Sequence, residues 1–174
     1  ATGNVTLSST GTVTQSGVIA AAGLELLGAG GTFNLNTQNN AITTLAGNTG
    51  TVLFQDNTGF AIGTVNTAGL TATTAATLIS TGTVTQSAAI TTPTLTLEGA
   101  AGTFTLGTVN NAVTTLDADN TALAALSFQD NTGFDVAGIN TTGNTTLSST
   151  GTVTQSGVIT AAGLELLGAG GTFN

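Results

Sequence analysis

The 174-residue sequence contains no Lys, Arg, His, Cys, Met, Trp or Tyr. Each absence closes a class of function. Without a cation nothing neutralises phosphate, which excludes nucleic acid as a partner. The polybasic route to anionic membranes is closed for the same reason. No run of 18 apolar residues offers a spanning helix, so no membrane insertion is expected. Without His and Cys there is no usual ligand set for zinc, copper, haem or iron–sulfur clusters. Nor is there a disulfide framework, a Ser–His or Cys–His nucleophile pair, or a Lys for Schiff-base chemistry. Eight carboxylates and many hydroxyls remain. The expectation is a protein without a cofactor that is not an enzyme. The first residues do not read as a signal peptide and there is no initiator Met, which suggests a mature piece or an excised window.

What is present is equally one-sided. Apolar residues make up 40% of the chain, which suffices for a core and argues against disorder. Charged residues make up 5%, against about 25% in ordinary soluble domains. The surface must therefore be wetted by Thr, Ser, Asn and backbone. There are 41 Thr, 25 Gly, seven Phe and one Pro. Thr and Val favour pleated sheet, and Gly and Asn favour turns.

Self-similarity organises the chain. Residues 2–34 reappear at 142–174 with 31 of 33 positions identical; Val5 becomes Thr145 and Ala20 becomes Thr160. Inside this 140-residue super-repeat lies a shorter period of about 70. STGTVTQS occurs at 9–16, 80–87 and 149–156, GTFNLNTQNNAITTL at 31–45 matches GTFTLGTVNNAVTTL at 102–116, and FQDNTGF occurs at 54–60 and 128–134. The longer stretch DADNTALAA at 117–125 reads as length absorbed at a turn. Finer still, Gly-Thr followed by Val or Phe recurs at spacings of 19 and 20 residues, as from Gly11 to Gly31 to Gly50 and from Gly63 to Gly82 to Gly102. A coil of about 20 residues is too short for helix-pair repeats and suits a parallel β-solenoid with two or three short strands per coil.

Local patterns agree. Asn4–Ser8, Thr12–Ser16, Leu95–Leu97 and Thr103–Leu106 alternate apolar with hydroxyl or amide residues, the period of a strand with one buried face. Val5, Leu7, Val13, Leu26, Phe33, Leu35, Ile42, Leu45, Val52, Phe54, Phe60 and Ile62 are predicted to point inward. Gly28–Gly31, Thr37–Asn40 and Asp56–Gly59 read as coil corners. Val18–Leu27 and Thr71–Ile79 resemble helix in hydrophobicity, but their Gly or Thr content and the coil length place them in strands. The fold expectation is all-β: one continuous parallel β-helix over 1–174, with units of approximately 1–71, 72–141 and a partial 142–174.

Tandem coils rich in Thr, Gly, Asn and Val, with phrases such as TGNVTLSSTGTVTQSG, resemble large secreted bacterial β-helix exoproteins. The similarity is to the repeat shaft of filamentous-haemagglutinin-like adhesins exported by two-partner secretion, and it covers the whole chain. It implies a right-handed parallel β-helix that holds an adhesive or toxic tip away from the cell, and a secreted or cell-surface location. Those shafts usually contain some Lys and Arg, which this chain lacks.

The candidate sites are few. Asp56-Asn57-Thr58-Gly59 and Asp130-Asn131-Thr132-Gly133 are oxygen-rich turns that would suit calcium, though each offers one carboxylate and reads more simply as a structural turn. No other metal site is expected. Asp117 and Asp119 form the closest acidic pair and read as a solvated loop. Glu25, Glu98 and Glu165 read as one repeated position on a surface face. Asn4, Asn140 and Asn144 begin N-x-Thr sequons, which makes them glycan-acceptor candidates in a secreted protein. Thr triplets (TVT, TLT, TFT, TAT) suggest a flat hydroxyl array, but they do not recur at one fixed coil position in the sequence.

The functional expectation is a structural and interaction protein: a section of an extracellular filament or adhesin shaft, stiff because stacked coils bury an apolar column. The alternative is an ice- or glycan-binding module that uses a Thr/Asn face. The expected partners are further copies of the repeat, joined covalently or stacked head to tail. A surface glycan or host-cell ligand would be reached through regions outside this chain. Asn174 falls inside a strand whose earlier copy continues into Leu35, so the chain is expected to be a window of a longer repetitive polymer.

Overall fold

The computed structural model describes residues 2–174. They form strands and turns, with no helix among them. Val18–Leu27 and Thr71–Ile79, the two helix-like stretches, lie largely in strands, as the coil length required. The strands wind into a parallel β-solenoid of about 8 turns of ~20 residues.

Two ladders run along the axis. On the first face Asn4, Gly23, Thr44, Ala61, Thr85, Thr105, Ser127, Thr146 and Glu165 follow one another through consecutive parallel pairings. On the second face Thr14, Asn34, Leu53, Thr77, Thr96 and Asp117 do the same. Short third segments, such as residues 70–71, 90–91 and 112–113, fill one side between the faces. Among the described residues, one antiparallel bridge outside the named strands joins Thr64 to Ala68 and closes a small hairpin.

The path of the first unit explains the long period in the sequence. Its segments 4–8, 12–14, 23–27, 32–35, 44–48, 51–55 and 59–62 alternate strictly between the first and second faces. Seven is odd, so the second unit opens on the opposite face, with 75–79 stacked on 51–55. STGTVTQS accordingly places Thr12–Thr14 on the second face and Thr83–Gln86 on the first. Its third copy, Thr152–Gln155, returns to the second. A unit is three and a half turns. Two units are needed to restore the phase, which is why the strongest identity recurs after 140 residues.

Parallel pairing holds the pleat in phase from turn to turn, so inward side chains stack on inward side chains. Val13, Phe33, Val52, Ala76, Leu95, Leu116 and Val136 form one such inner row. Phe33, Phe54, Phe104 and Phe128 are fully enclosed. Each buried Leu, Val or Phe contributes about 1.5–3 kcal/mol through removal from water. Of the twelve residues predicted to point inward, Val5, Leu7 and Val13 are only half-buried, because they belong to the first turn, beneath which no further strand lies among the described residues. The longer stretch at 117–125 is absorbed as a bulge: pairing with the next turn breaks between Ala118 and Leu123 and then resumes.

Phe54→Asp is expected to destabilise the fold by at least about 3 kcal/mol, since it removes a large core side chain and buries a charge. Thr14→Asp, on an exposed position, is expected to cost within about 0.5 kcal/mol. Urea unfolding of both variants measures the difference, and equal costs would refute the assigned facing.

Candidate functional site: buried polar corners and outward threonine rows

The FQDNTGF motif builds a corner between faces. Phe54 and Phe60 point inward on either side of it and meet edge to face, with centroids 5.1 Å apart. Phe128 and Phe134 repeat the contact at 5.0 Å. Between them the Asp turns into the wall. Asp56 Oδ1 accepts from the Thr58 amide at 2.9 Å and the Thr58 hydroxyl at 2.6 Å, and Oδ2 accepts from the Ile42 amide at 2.8 Å. Asp130 is held in the same way by Thr132 and the Val113 amide. Gly59 and Gly133 both take φ of 94°, which an L side chain rarely adopts. Both carboxylates are fully buried and spend their oxygens on donors of the chain. The two corners sit where the chain crosses between faces in opposite directions, so Asp56 and Asp130 are not brought together. No group of three or more metal-ligating side chains gathers among the described residues.

A second polar device lies beside each corner, and nothing in the alternation pattern announced it. Asn40 is fully buried. Its Nδ2 donates to the carbonyls of Leu35 (2.9 Å) and Gln55 (3.0 Å), and its Oδ1 accepts from the Ile19 amide and from Gln15 Nε2, both at 2.9 Å. Asn111 repeats this with Leu106, Gln129, Ile90 and Gln86. One amide side chain thus ties three neighbouring stretches of backbone at a coil corner. The available sequence signal was the matched NNA at 39–41 and 110–112 together with the repeated TQS.

Glu25 differs from the expectation. It is 1% exposed, not on an open surface. The 63–69 hairpin, two turns further along, folds over it: Asn66 Nδ2 donates to Oε2 at 2.9 Å, the Thr67 amide to Oε1 at 2.7 Å, and the Thr6 hydroxyl to Oε2 at 2.9 Å. The bond from Asn66 does most to hold the carboxyl down at about 2. Burial opposes it, and the bonds from Thr67 and Thr6 reinforce it. Glu165 occupies the same register, opposite Thr146 as Glu25 is opposite Thr6, and is exposed. Glu98 does not share that position. It pairs with Ile79 on the second face and accepts from Asn120.

The sequon residues stand apart. Asn4 and Asn144 are exposed on the first face, each beside a glycine of the next turn. A Cβ at Gly23 or Gly163 would come within 2.8 Å of the Asn side-chain oxygen, so a larger residue at either position would displace the Asn side chain. Asn140 is half-buried and pairs with Thr160. Asp117 and Asp119 are adjacent at the bulge. Burial pushes the Asp117 carboxyl upward, the hydrogen bond from the Asp119 amide opposes this, and the Asp119 charge adds to the rise.

The Thr triplets do not share one coil position, since TVT falls on the second face at 12–14 and on the first at 83–85, but several of their residues nonetheless stack on one another. On the second face Thr12, Thr32 and Thr51 stack in one outward row, and Thr14, Thr77 and Thr96 fall in the neighbouring row. On the first face Thr83 and Thr85 stack beneath Thr103 and Thr105. The irregular sequence spacing arose because successive copies alternate between faces.

A family profile described as repeats of unknown function (DUF5649) matches residues 1–49 and 120–173, more than half of the chain. No curated protein and no solved structure matches the chain.

The Glu25 clamp has a pH signature. A carboxyl lowered from 4.5 to about 2 stabilises the fold fully above the unfolded value, and this contribution is lost as pH falls through the folded one. Stability measured between about pH 5 and 2 is therefore expected to decline in the parent chain and to decline less in Glu25→Gln, while Glu165→Gln follows the parent. Identical slopes for all three chains would show that Glu25 is not linked to folding.

Proposed function

We propose, for a chain that belongs to the DUF5649 family of repeats of unknown function, that it is a section of a stiff extracellular rod. On this reading it is part of the shaft of a secreted, haemagglutinin-like bacterial adhesin or of a related surface filament. The observation that carries the proposal is the pair of parallel ladders that run through about 8 turns with an apolar column between them. Such a body resists bending because each turn is bonded to the next by backbone along both faces. It needs no ion or disulfide for its rigidity. Its task is spacing, not chemistry: it holds whatever it carries at a distance from the surface that anchors it. Its partners are further coils of the same repeat, covalent or stacked, and contacts with glycans or host cells belong to regions outside these coils.

Length provides the test. Eight rises of about 4.8 Å make a rod of about 40 Å, and every added 140-residue super-repeat is expected to lengthen it by about 34 Å without widening it. Small-angle scattering on the chain and on concatemers reads both dimensions. A particle that thickens in proportion as it lengthens would sink the proposal.

The stacked outward Thr rows favour a second reading, in which a hydroxyl face binds ice. Thr is stiff at χ1, so a strand presents its hydroxyl and methyl in a fixed array. Sugar stacking has less to recommend it, since there is no Trp or Tyr and Phe33, Phe54, Phe104 and Phe128 are fully enclosed. Under this reading the folded chain slows ice recrystallisation, and Thr94→Tyr with Thr96→Tyr reduces the effect severalfold. An inert parent chain would rule it out.

A further inference from the structure

The 63–69 hairpin is an addition to the coil and not part of its winding. Gly59 and Gly133 open matching segments, and the next matched phrase begins at Ser80 in one unit and at Ser149 in the other. The first interval is 21 residues and the second 16. The shorter one still winds, as strands Gly133–Thr141 and Asn144–Ser148, with no hairpin between them. Residues 63–69 supply no side chain to the apolar column. The hairpin stands on two glycines: the Gly69 amide donates to the Gly63 carbonyl at 2.8 Å, and Gly69 takes φ of 78°. Two bonds fix this neck to the neighbouring turn, from the Gly63 amide to the Leu45 carbonyl (3.1 Å) and from the Gly47 amide to the Gly69 carbonyl (2.9 Å).

Beyond the neck, the hydrogen bonds that Thr64–Ala68 make to the wall both end on Glu25, from Asn66 Nδ2 and the Thr67 amide. Val65 lies over Gly23, where an added Cβ would meet it at 2.9 Å. Ala46 follows Glu25 in register and is also enclosed. Among the described residues no second titratable side chain faces Glu25. Strand Asn4–Ser8 on one side, strand Ala41–Gln55 on the other and the hairpin above carry none, and Glu25 is the sole one in its own strand, Ala20–Leu35. The chain has no Lys, Arg or His, so neutral donors alone hold the carboxylate. An ionised carboxylate has acceptor capacity for Asn66, Thr67 and Thr6 together. A protonated one turns one oxygen into a donor. Oε2 faces Asn66 and Oε1 faces Thr67, so whichever oxygen takes the proton, a hairpin donor loses its acceptor.

We propose that the hairpin is an acid-released strap: protonation of Glu25 frees residues 64–68 from the first face and uncovers the strip of Gly23, Glu25 and Ala46, while the coils beneath stay wound. The closed strap holds the carboxyl at about 2, chiefly through Asn66, against an ordinary value of 4.5. Closure is therefore strongest above the ordinary value and is lost as pH falls through the closed one. Across that window the closed-to-open ratio drops by about two orders of magnitude. Local opening falls on segments with few buried apolar contacts, and the hairpin is such a segment. Release alters the surface of the solenoid and leaves its length alone, because the pairing of 23–27 with 44–48 does not pass through the hairpin.

The test is a titration of the complete 174-residue chain from near neutral pH down to about pH 2, followed residue by residue in proton–nitrogen correlation spectra. One single-proton transition is expected between about pH 4.5 and 2, shared by the amides of 64–68, Gly23 and Ala46. Leu95, Phe104 and Phe128 keep their native shifts through it, and the length read by scattering does not change. Glu25→Gln needs no acid. It sets an amide N–H against a hairpin donor, and near neutral pH it is expected to show the released spectrum with the coils intact. Should that chain fail to fold, Asn66→Ala takes its place, since Asn66 is exposed. Its release is expected about one pH unit above that of the parent chain, the effect of losing one hydrogen bond to a charged group. Four results overturn the proposal: hairpin amides that stay native down to about pH 2, hairpin amides that lose their shifts only together with Phe104 and Phe128, a closed hairpin in Glu25→Gln, or an unchanged release pH in Asn66→Ala.

Discussion

Parallel hydrogen bonding between successive turns is the constraint from which the other features descend. It keeps the pleat in phase, so an inward residue in one turn requires an inward residue in the next. That requirement produces the continuous row from Val13 through Phe33 to Val136 and leaves most Thr to the outside. It also explains how a chain with 5% charged residues remains ordered. Its polar backbone is satisfied by neighbouring turns, and its surface is hydrated by hydroxyls.

The corners are where this arrangement is most exposed to failure, since the ladders stop there and backbone groups lose their partners. Asn40, Asn111, Asp56 and Asp130 are placed at these points, and each serves main-chain groups from separate segments. Every buried side-chain nitrogen or oxygen among the described residues has a hydrogen-bond partner. The specificity of the winding thus lies in a few amides and carboxylates, while the apolar column supplies most of the driving force.

The sequence made the fold legible because coil length and alternation are local signals. Phe33, Phe54 and Ile62 were readable as inward from their neighbours alone. Glu25 was not, because its burial depends on Asn66 and Thr67, some 41 and 42 residues away on a hairpin with no strong signature of its own. Asn40 was hidden for a related reason: a polar residue next to a turn looks solvated unless its several backbone partners are known. The stacking of individual Thr residues was hidden by phase. Their spacing in sequence mixes two faces, and only the winding separates them.

An odd number of strand segments per unit has a mechanical consequence. Any excursion that thickens one wall bends a solenoid towards the thinner side, because small rotations per coil accumulate along the axis. Here the matched segments of the next unit meet the opposite wall, as the TVTQ strands at Thr83–Gln86 and Thr152–Gln155 do. A tendency to curve built into the common part of the unit is therefore reversed three and a half turns later. The common part of the unit thus gives such a rod no preferred direction of bending, without any residue dedicated to straightness.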